Sequence, residues 1–276
     1  MRPYTSAQPV TVLDDILVRK RDEVTRLRQP QTRDLLRRRA LDAPPVRDFA
    51  AALRPAGNRI AVIGELKRRS PSKGELAADL DPVVTAKAYA SGGAAALSVL
   101  TDAPFFGGRV DDLTAARDAT SLPVLRKDFT IDEVQVYESR AIGADAILLI
   151  VAALPDDDLL AALHGLGREL GLAVLVEAHD PSQIERALRA GAQIVGINNR
   201  DLATFAEDLG IGETLASHVP ASVIAVAESA VRTPADSARL GAVGFDAVLV
   251  GEALVRADDP AALVRDLGAA SVSRRS

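Results

Sequence analysis

A (β/α)8 barrel is the fold class this sequence predicts, on three observations. Eight short apolar runs recur between helix-favouring segments rich in Ala, Leu, Arg and Glu, the alternation that builds a parallel sheet wrapped in helices. The length of 276 residues suits one such barrel with an extension, because the class typically needs about 250 residues. Apolar residues make up 48% of the chain but aromatics only 3%, so the core must be packed by Ala, Val, Leu and Ile, which favours helices laid on a parallel sheet. The expectation is one barrel domain over 1–276, with 1–55 as a helical extension.

In order along the chain, residues 1–9 read as a loose tail. TVLDDILVRKRDEVTRLRQ (11–29) then repeats Val12, Leu13, Ile16, Leu17, Val24 and Leu27 at helical intervals and predicts an amphipathic helix outside the eightfold pattern. A second helix is expected over TRDLLRRRAL (32–41), its arginines forming a solvated face, and DFAAAL (48–53) leads into the first strand. Residues 11–41 add nothing to the eightfold count and are expected near the barrel mouth, where they would affect substrate affinity. Strands are predicted near 60–66, 95–100, 123–127, 145–150, 172–177, 194–198, 223–228 and 246–250. The Gly that precedes several of them, in GGAAAL, IGADAI, AGAQIV and VGFDAV, fits a residue ending one helix before the chain turns into the next strand.

Composition excludes several classes of function. A net charge of −5 argues against a general polyanion-binding surface, so nucleic acid is not an expected partner, although a local pocket for a small phosphate stays open. There is no cysteine, hence no disulfide, thiolate nucleophile or Cys-based metal site; His164, His179 and His218 lack ligand spacing, and neither a metal nor a cofactor is expected. No GxGxxG pattern suggests a dinucleotide. The first thirty residues carry charges and no long apolar run, so neither a signal peptide nor a membrane span is expected, and the cytoplasm is the expected location.

Function is carried by how the strands end. IGELK (63–67), LRKDF (125–129), LVE (175–177), GINNRD (196–201) and AES (227–229) put Glu65, Lys67, Lys127, Glu177, Asn198, Arg200, Glu228 and Ser229 at the ends of separate runs. In barrels of this class the active site lies at the C-terminal ends of the strands, so these groups would share one mouth. Glu65 and Lys67 alternate in one strand and on their own could simply neutralise each other. Three carboxylates and two lysines gathered there are costly to bury unless they pair or bind something. AESAV (227–231) and VGEAL (250–254) are strand-to-helix turns of small residues, able to bring backbone N–H groups to an anion; phosphate is the natural ligand, and SPSKG (70–74) adds hydroxyls and a lysine.

Taken together, ELKRRSPSKG (65–74), ALSVLTD with FFGG (96–108), LPVLRKDF (122–129), ADAILLI (144–150), VGINNRDL (195–202), AES and VGEAL resemble indole-3-glycerol phosphate synthase of tryptophan biosynthesis. LDDILVRKRDEV (13–24) resembles that family's helical extension, and the match runs in order over nearly the whole chain. The resemblance implies a carboxy-lyase that closes the indole ring of 1-(2-carboxyphenylamino)-1-deoxyribulose 5-phosphate with loss of carbon dioxide and water. It implies Lys127 as the acid for the developing alkoxide, and Lys67 and Glu177 as acid and base of the dehydration, with the division of labour between the lysines left open. Glu65, Asn198 and Glu228 would orient the lysines and the substrate hydroxyls, while Arg200 and Ser229 complete the polar wall. Phe106, Phe129, Leu148 and Leu202 would line the pocket for the aromatic ring, and Ser70, Ser229, Ala230, Gly251 and Glu252 the phosphate site.

Two features depart from the expected pattern. Ala230 stands where the resemblance leads one to expect glycine, so a turn needing φ > 0 would be strained, and Glu252 puts a carboxylate near the phosphate unless it points outward. The partner implied is a small phosphorylated substrate, with no nucleic acid and no membrane, and a monomer is the working expectation. Two rivals share part of the pattern. An aldose–ketose isomerase on another sugar-phosphate barrel would not need the Lys67, Lys127 and Glu177 set, and a non-catalytic phosphate-binding barrel would not need the polar mouth.

Overall fold

The computed structural model describes residues 11–54, 57–200 and 206–275. Within them eight parallel strands close into a barrel: β1 (Ala61–Leu66), β2 (Ala96–Leu100), β3 (Val124–Lys127), β4 (Ala146–Ile150), β5 (Ala173–Ala178), β6 (Ile194–Asn198), β7 (Ile224–Glu228) and β8 (Ala247–Val250), each beside its successor and β8 beside β1. Every predicted strand is present within a residue or two of its expected bounds. Successive side chains of a strand point to opposite faces. Ile63, Leu125, Leu148, Leu175, Val226 and Leu249 therefore pack together inside the barrel, while Val62, Val99, Ile147, Val176, Ile197 and Val248 join the larger core beneath the helices. Gly93, Gly143, Gly191 and Gly244 adopt φ of 89° to 94° just before β2, β4, β6 and β8, as the GA steps predict.

The extension closes both ends of this barrel. Helix α1 (Val12–Leu27) starts at Thr11 and Asp14, which cap each other reciprocally. Its Val12, Leu13 and Ile16 face the cavity at the strand C-termini, and Leu17 joins the interior cluster that includes Phe129 and Ile150. Helix α2 (Pro30–Asp42) does not reach the mouth. It packs along the flank on α7 (Glu133–Ala141), through Leu36 against Val24 and Val134, with Arg37 bonded to Glu133 at 3.0 Å and over the Tyr137 ring at 5.0 Å. The expectation that residues 11–41 sit at the mouth thus holds for α1 alone. The arginine run behaves as a solvated face: Arg38 and Arg39 are exposed. The short α3 (Phe49–Ala52), capped by Asp48, puts Phe49 and Leu53 into the interior cluster at the opposite end, where the strands begin.

Among the small elements that went unpredicted are a two-residue strand pair, Arg69–Ser70 with Gly74–Glu75, and the one-turn helices α5 (Ala103–Phe106) and α12 (Glu252–Val255). All three are too short to show a period, and all three edge the mouth. No described helix is long and apolar enough to cross a membrane.

Candidate active site

Inward-facing positions at the strand ends, or one residue before them, are where the polar groups converge. Glu65 on β1, Lys127 on β3, Glu177 on β5, Asn198 on β6 and Glu228 on β7 all line one cavity of about 170 Å³, with Lys67, Arg200 and Ser229 at its rim. A roomier hollow of about 280 Å³ lies at the other end of the barrel among Arg54, Asn58, Arg59 and Arg275, but it gathers no lysine–carboxylate set. Chemistry rather than volume therefore selects the mouth.

Lys127 is the hub. Its Nζ lies 3.1 Å from Glu177 Oε2 and also bonds Glu228 Oε2. Asn198 Nδ2 donates to Glu177 Oε1 at 3.0 Å, and Lys67 Nζ meets Glu65 Oε1 at 2.8 Å. The two lysines are thus held by three carboxyl partners drawn from β1, β5 and β7, and Asn198 on β6 holds one of those carboxyls in place. Burial opposes the Lys127 charge, but Glu228, Glu177 and Glu65 outweigh it and hold the amine well above its ordinary pKa. Glu177 is pulled two ways: burial pushes it up, yet Lys127 and then His179 carry it down to about 2. Glu228 goes the other way, to about 8, because burial and repulsion from Glu177 and Glu65 exceed the attraction of Lys127. Lys127 is therefore favoured in its charged form, while its surroundings push Glu177 toward the ionised form and Glu228 toward the protonated one.

Space for these carboxyls comes from glycine. A Cβ on Gly196 of β6 would lie 2.1 Å from Glu228 Oε1, and one on Gly251 would lie 2.4 Å from Glu65 Oε1 and 3.2 Å from Lys67 Nζ. Gly251, predicted for the phosphate turn, is thus also what lets the Glu65–Lys67 pair stand beneath that turn.

The apolar half of the cavity is formed by Phe106, Phe129, Leu148, Leu100, Ile150 and Leu249 with the first turns of α1. The Phe106 and Phe129 ring centroids are 6.0 Å apart and tilted by 35°. Leu202 lies outside the described residues. On the opposite side, Ser70, Ser229, Ala230, Gly251 and Glu252 all line the cavity. Ser229 and Ala230 both have positive φ, 64° and 63°, so the strain anticipated at Ala230 is present and shared with its neighbour. The Glu252 carboxylate faces Arg256 at 3.8 Å, one turn along α12, so it turns away along its own helix. Arg200 bonds Ser72 Oγ and Glu207, and Arg232 bonds Glu207 as well, which fixes the rim.

The family model described as indole-3-glycerol phosphate synthase matches residues 13–267. The chain belongs to the indole-3-glycerol phosphate synthase family. An indole-3-glycerol phosphate synthase of Roseiflexus castenholzii (strain DSM 13941 / HLO8) is 50% identical over 266 residues, covering 94% of this chain and 98% of that protein. One from Paenarthrobacter aurescens (strain TC1) is 47% identical over 273 residues, covering 97% and 100%. Among solved structures, 3-hexulose-6-phosphate synthase from Salmonella typhimurium superposes with a TM-score of 0.61 at 16% identity, covering 76% of this chain and 97% of that one. At that identity it speaks for the barrel alone. Membership of the family sets aside the isomerase and the non-catalytic barrel as readings of the sequence.

Several residues that brace the mouth carry little in the sequence that sets them apart. Lys20 of α1, Asp102, Asp128 and Arg126 form a buried charge network behind Lys127. Asn199, fully buried, donates to the Glu228 backbone carbonyl at 3.1 Å and accepts from Gly212 N at 2.8 Å, tying the end of β6 to β7. His179 Nε2 stands 3.4 Å behind Glu177. Each is an ordinary polar residue of a helix, strand or loop until the barrel closes. A lysine among the apolar positions of α1 was the one clue available.

Proposed function

We propose that this chain closes the indole ring of 1-(2-carboxyphenylamino)-1-deoxyribulose 5-phosphate, forming indole-3-glycerol phosphate, and that Lys127, Lys67 and Glu177 carry the proton transfers. The single observation that supports it best is Lys127 held between Glu177 and Glu228 at the boundary of an aromatic-lined and a hydroxyl-lined half of one cavity. A substrate with an aryl group at one end and a phosphate at the other matches those two halves.

The ring carbon that bears the carboxylate attacks the ribulose carbonyl, a C–C bond forms, and Lys127 gives its proton to the oxygen that would otherwise become an alkoxide. Carbon dioxide then leaves with its former bond electrons returning to the ring. The hydroxyl departs with a proton from Lys67, and Glu177 takes the proton from the adjoining carbon, so water is lost overall. A carboxylate held near pKa 2 is a poor base at the outset. Once Lys127 has given up its proton, however, the largest attraction that depressed Glu177 is gone while burial remains, and although His179 and Asn198 still favour the carboxylate, its basicity rises at the step that needs it. Glu65 orients Lys67, Asn198 orients Glu177, Glu228 orients Lys127, and Arg200 with Ser229 closes the polar wall. Ser70, Ser229, Ala230, Gly251 and Glu252 make the phosphate end; Phe106, Phe129, Leu148 and Leu202 make the aryl end.

Every group in this scheme comes from one chain, so a monomer suffices, and residues 1–276 act as one barrel domain with its 1–55 extension. The cytoplasm is part of the same reading. The test is direct: incubate the protein with the carboxyphenylamino ribulose phosphate without added metal and follow indole fluorescence, which no tryptophan of the chain obscures. Product formation supports the assignment, and its absence with an intact fold removes it.

A further inference from the structure

Lys20 is the most deeply buried charged group of the extension, its side chain 2% exposed. Its Nζ lies 2.7 Å from Asp128 Oδ1, 3.1 Å from Asp102 Oδ2 and 2.8 Å from Glu23 Oε2. Burial works against the ammonium, but Asp128 and then Asp102 outweigh it and keep the amine above its ordinary pKa. A lysine is seldom buried so fully unless something requires its charge there.

What it joins gives the requirement. Asp102 caps α5 by accepting from Phe105 N at 2.9 Å, and Phe106 ends that helix. Asp128 accepts from Phe129 N at 2.8 Å. Phe106 and Phe129 are neighbouring rings in contact on the wall of the aryl half of the cavity, their centroids 6.0 Å apart. Lys20 itself sits one turn beyond Ile16, which lines the same half from α1. One ammonium therefore pins three separate segments, each bearing an apolar wall of one pocket. Behind it, Asp128 is held in turn by Thr101 and by Arg126, at 3.3 Å, which also meets Glu138 at 2.8 Å. The barrel side of the contact is thus braced independently, while α1 reaches it through Lys20 and α5 is held by Lys20 together with Arg69, which donates to Phe105 O at 3.1 Å.

We propose that Lys20 is a positioning residue for the reaction: by tying α1 to Asp102 and Asp128 it sets the spacing of Ile16, Phe106 and Phe129, and so the fit of the substrate's aromatic ring. This rests on the reading of that half of the cavity as the aryl site. Lys20 touches none of the reacting groups, so its loss should act on binding of the aryl end and leave the phosphate end and the proton transfers alone.

The experiment compares the full-length wild type with Lys20→Met and with Lys20→Met/Asp102→Asn, the second of which removes the surplus buried carboxylate that could unfold the first. Three quantities are read: KM and kcat with the carboxyphenylamino ribulose phosphate, Kd for indole-3-glycerol phosphate, and Kd for glycerol 3-phosphate as a probe of the phosphate end alone. In whichever variant gives a wild-type far-ultraviolet circular dichroism spectrum, KM and the product Kd should rise about tenfold, with kcat and the glycerol 3-phosphate Kd within about threefold of wild type. An unchanged KM in a folded variant overturns the proposal. So does equal weakening of both ligands, or a fall in kcat alone, because either would mean a general deformation rather than a shaped aryl site. Should both variants fail to fold, Lys20 is a stability residue and the positioning role is lost. Wild-type turnover, measured first, tests the activity separately: if it is absent while the product Kd still responds to Lys20, the activity assignment fails and the positioning does not.

Discussion

Lys127 illustrates what a single side chain does here. It is charged, almost enclosed and shared by two carboxyls, so its replacement removes a proton donor without removing much contact surface. Lys127→Ala should lower kcat by about 10² or more while substrate affinity stays within about tenfold, and Glu177→Gln should keep the fold and lose most activity. Steady-state kinetics with circular dichroism checks both, and a variant with normal kcat would take that residue out of the chemistry. Glu228 lends itself to a pH experiment. Its pKa in the folded protein, about 8, is above that of an unfolded chain, so the stability it contributes is present at low pH and is lost as pH rises through about 8. Glu177 is shifted the other way, and its contribution disappears only in strong acid. The melting temperature of the ligand-free protein should therefore fall between pH 5 and pH 9 by more than that of Glu228→Gln, over the window those values define; parallel curves would refute the shift. Ala230, at φ 63°, occupies a conformation that costs an L-residue about 1 kcal/mol, so Ala230→Gly should stabilise the protein slightly or tighten phosphate-bearing ligands by up to about fivefold. Thermal melts and product titration read this out.

At the level of the strand, alternation decides who meets whom. On β6, Ile194 packs into the interior, Gly196 leaves a gap and Asn198 reaches Glu177, three inward positions of one strand with three different duties. The gap is filled by the carboxyl of Glu228 from β7, a neighbour paired in register so that Gly196 lies beside Val226 and Asn198 beside Glu228. Gly196→Ala should push the Glu228 carboxyl off Lys127, because the new methyl would sit 2.1 Å from Oε1. The expected result is a folded barrel with kcat reduced about tenfold or more, and full activity would mean that Glu228 has another place to go. The strands and their polar ends were readable from the sequence because an eight-unit repeat of short apolar runs has few other solutions. α5, α12 and the strand pair at 69–75 were not, since one turn or two residues carry no periodicity to detect.

Across the whole molecule, the two ends of the barrel do different work. α1 covers the mouth with side chains that line the cavity, whereas α3 plugs the far end with Phe49 and Leu53, 1% and 0% exposed, away from every proposed reacting group. Phe49→Ala should therefore cost about 3–5 kcal/mol of stability and leave KM and kcat of the folded protein unchanged. Ile16→Ala, a smaller loss at the other end, should raise KM. Chemical denaturation paired with kinetics on both variants separates the two roles, and a KM change in Phe49→Ala would show that the ends are coupled.

The sequence by itself determined the barrel, its strand bounds and the set of polar residues at its mouth, because patterns with periods of two and 3.6 and a charged residue at the end of an apolar run are local properties of the chain. The family resemblance, rather than any local pattern, pointed to Ala230 as the odd residue in its turn. Only the tertiary structure decided which carboxyl serves which lysine, why Glu177 and Glu228 titrate in opposite directions, and that Lys20 is wired to Asp102 and Asp128. These facts depend on distances between residues far apart along the chain, such as Lys20 and Asp128 or Glu65 and Glu228. Electrostatic energies follow distance and burial in space, and neither exists until the eighth strand has closed against the first.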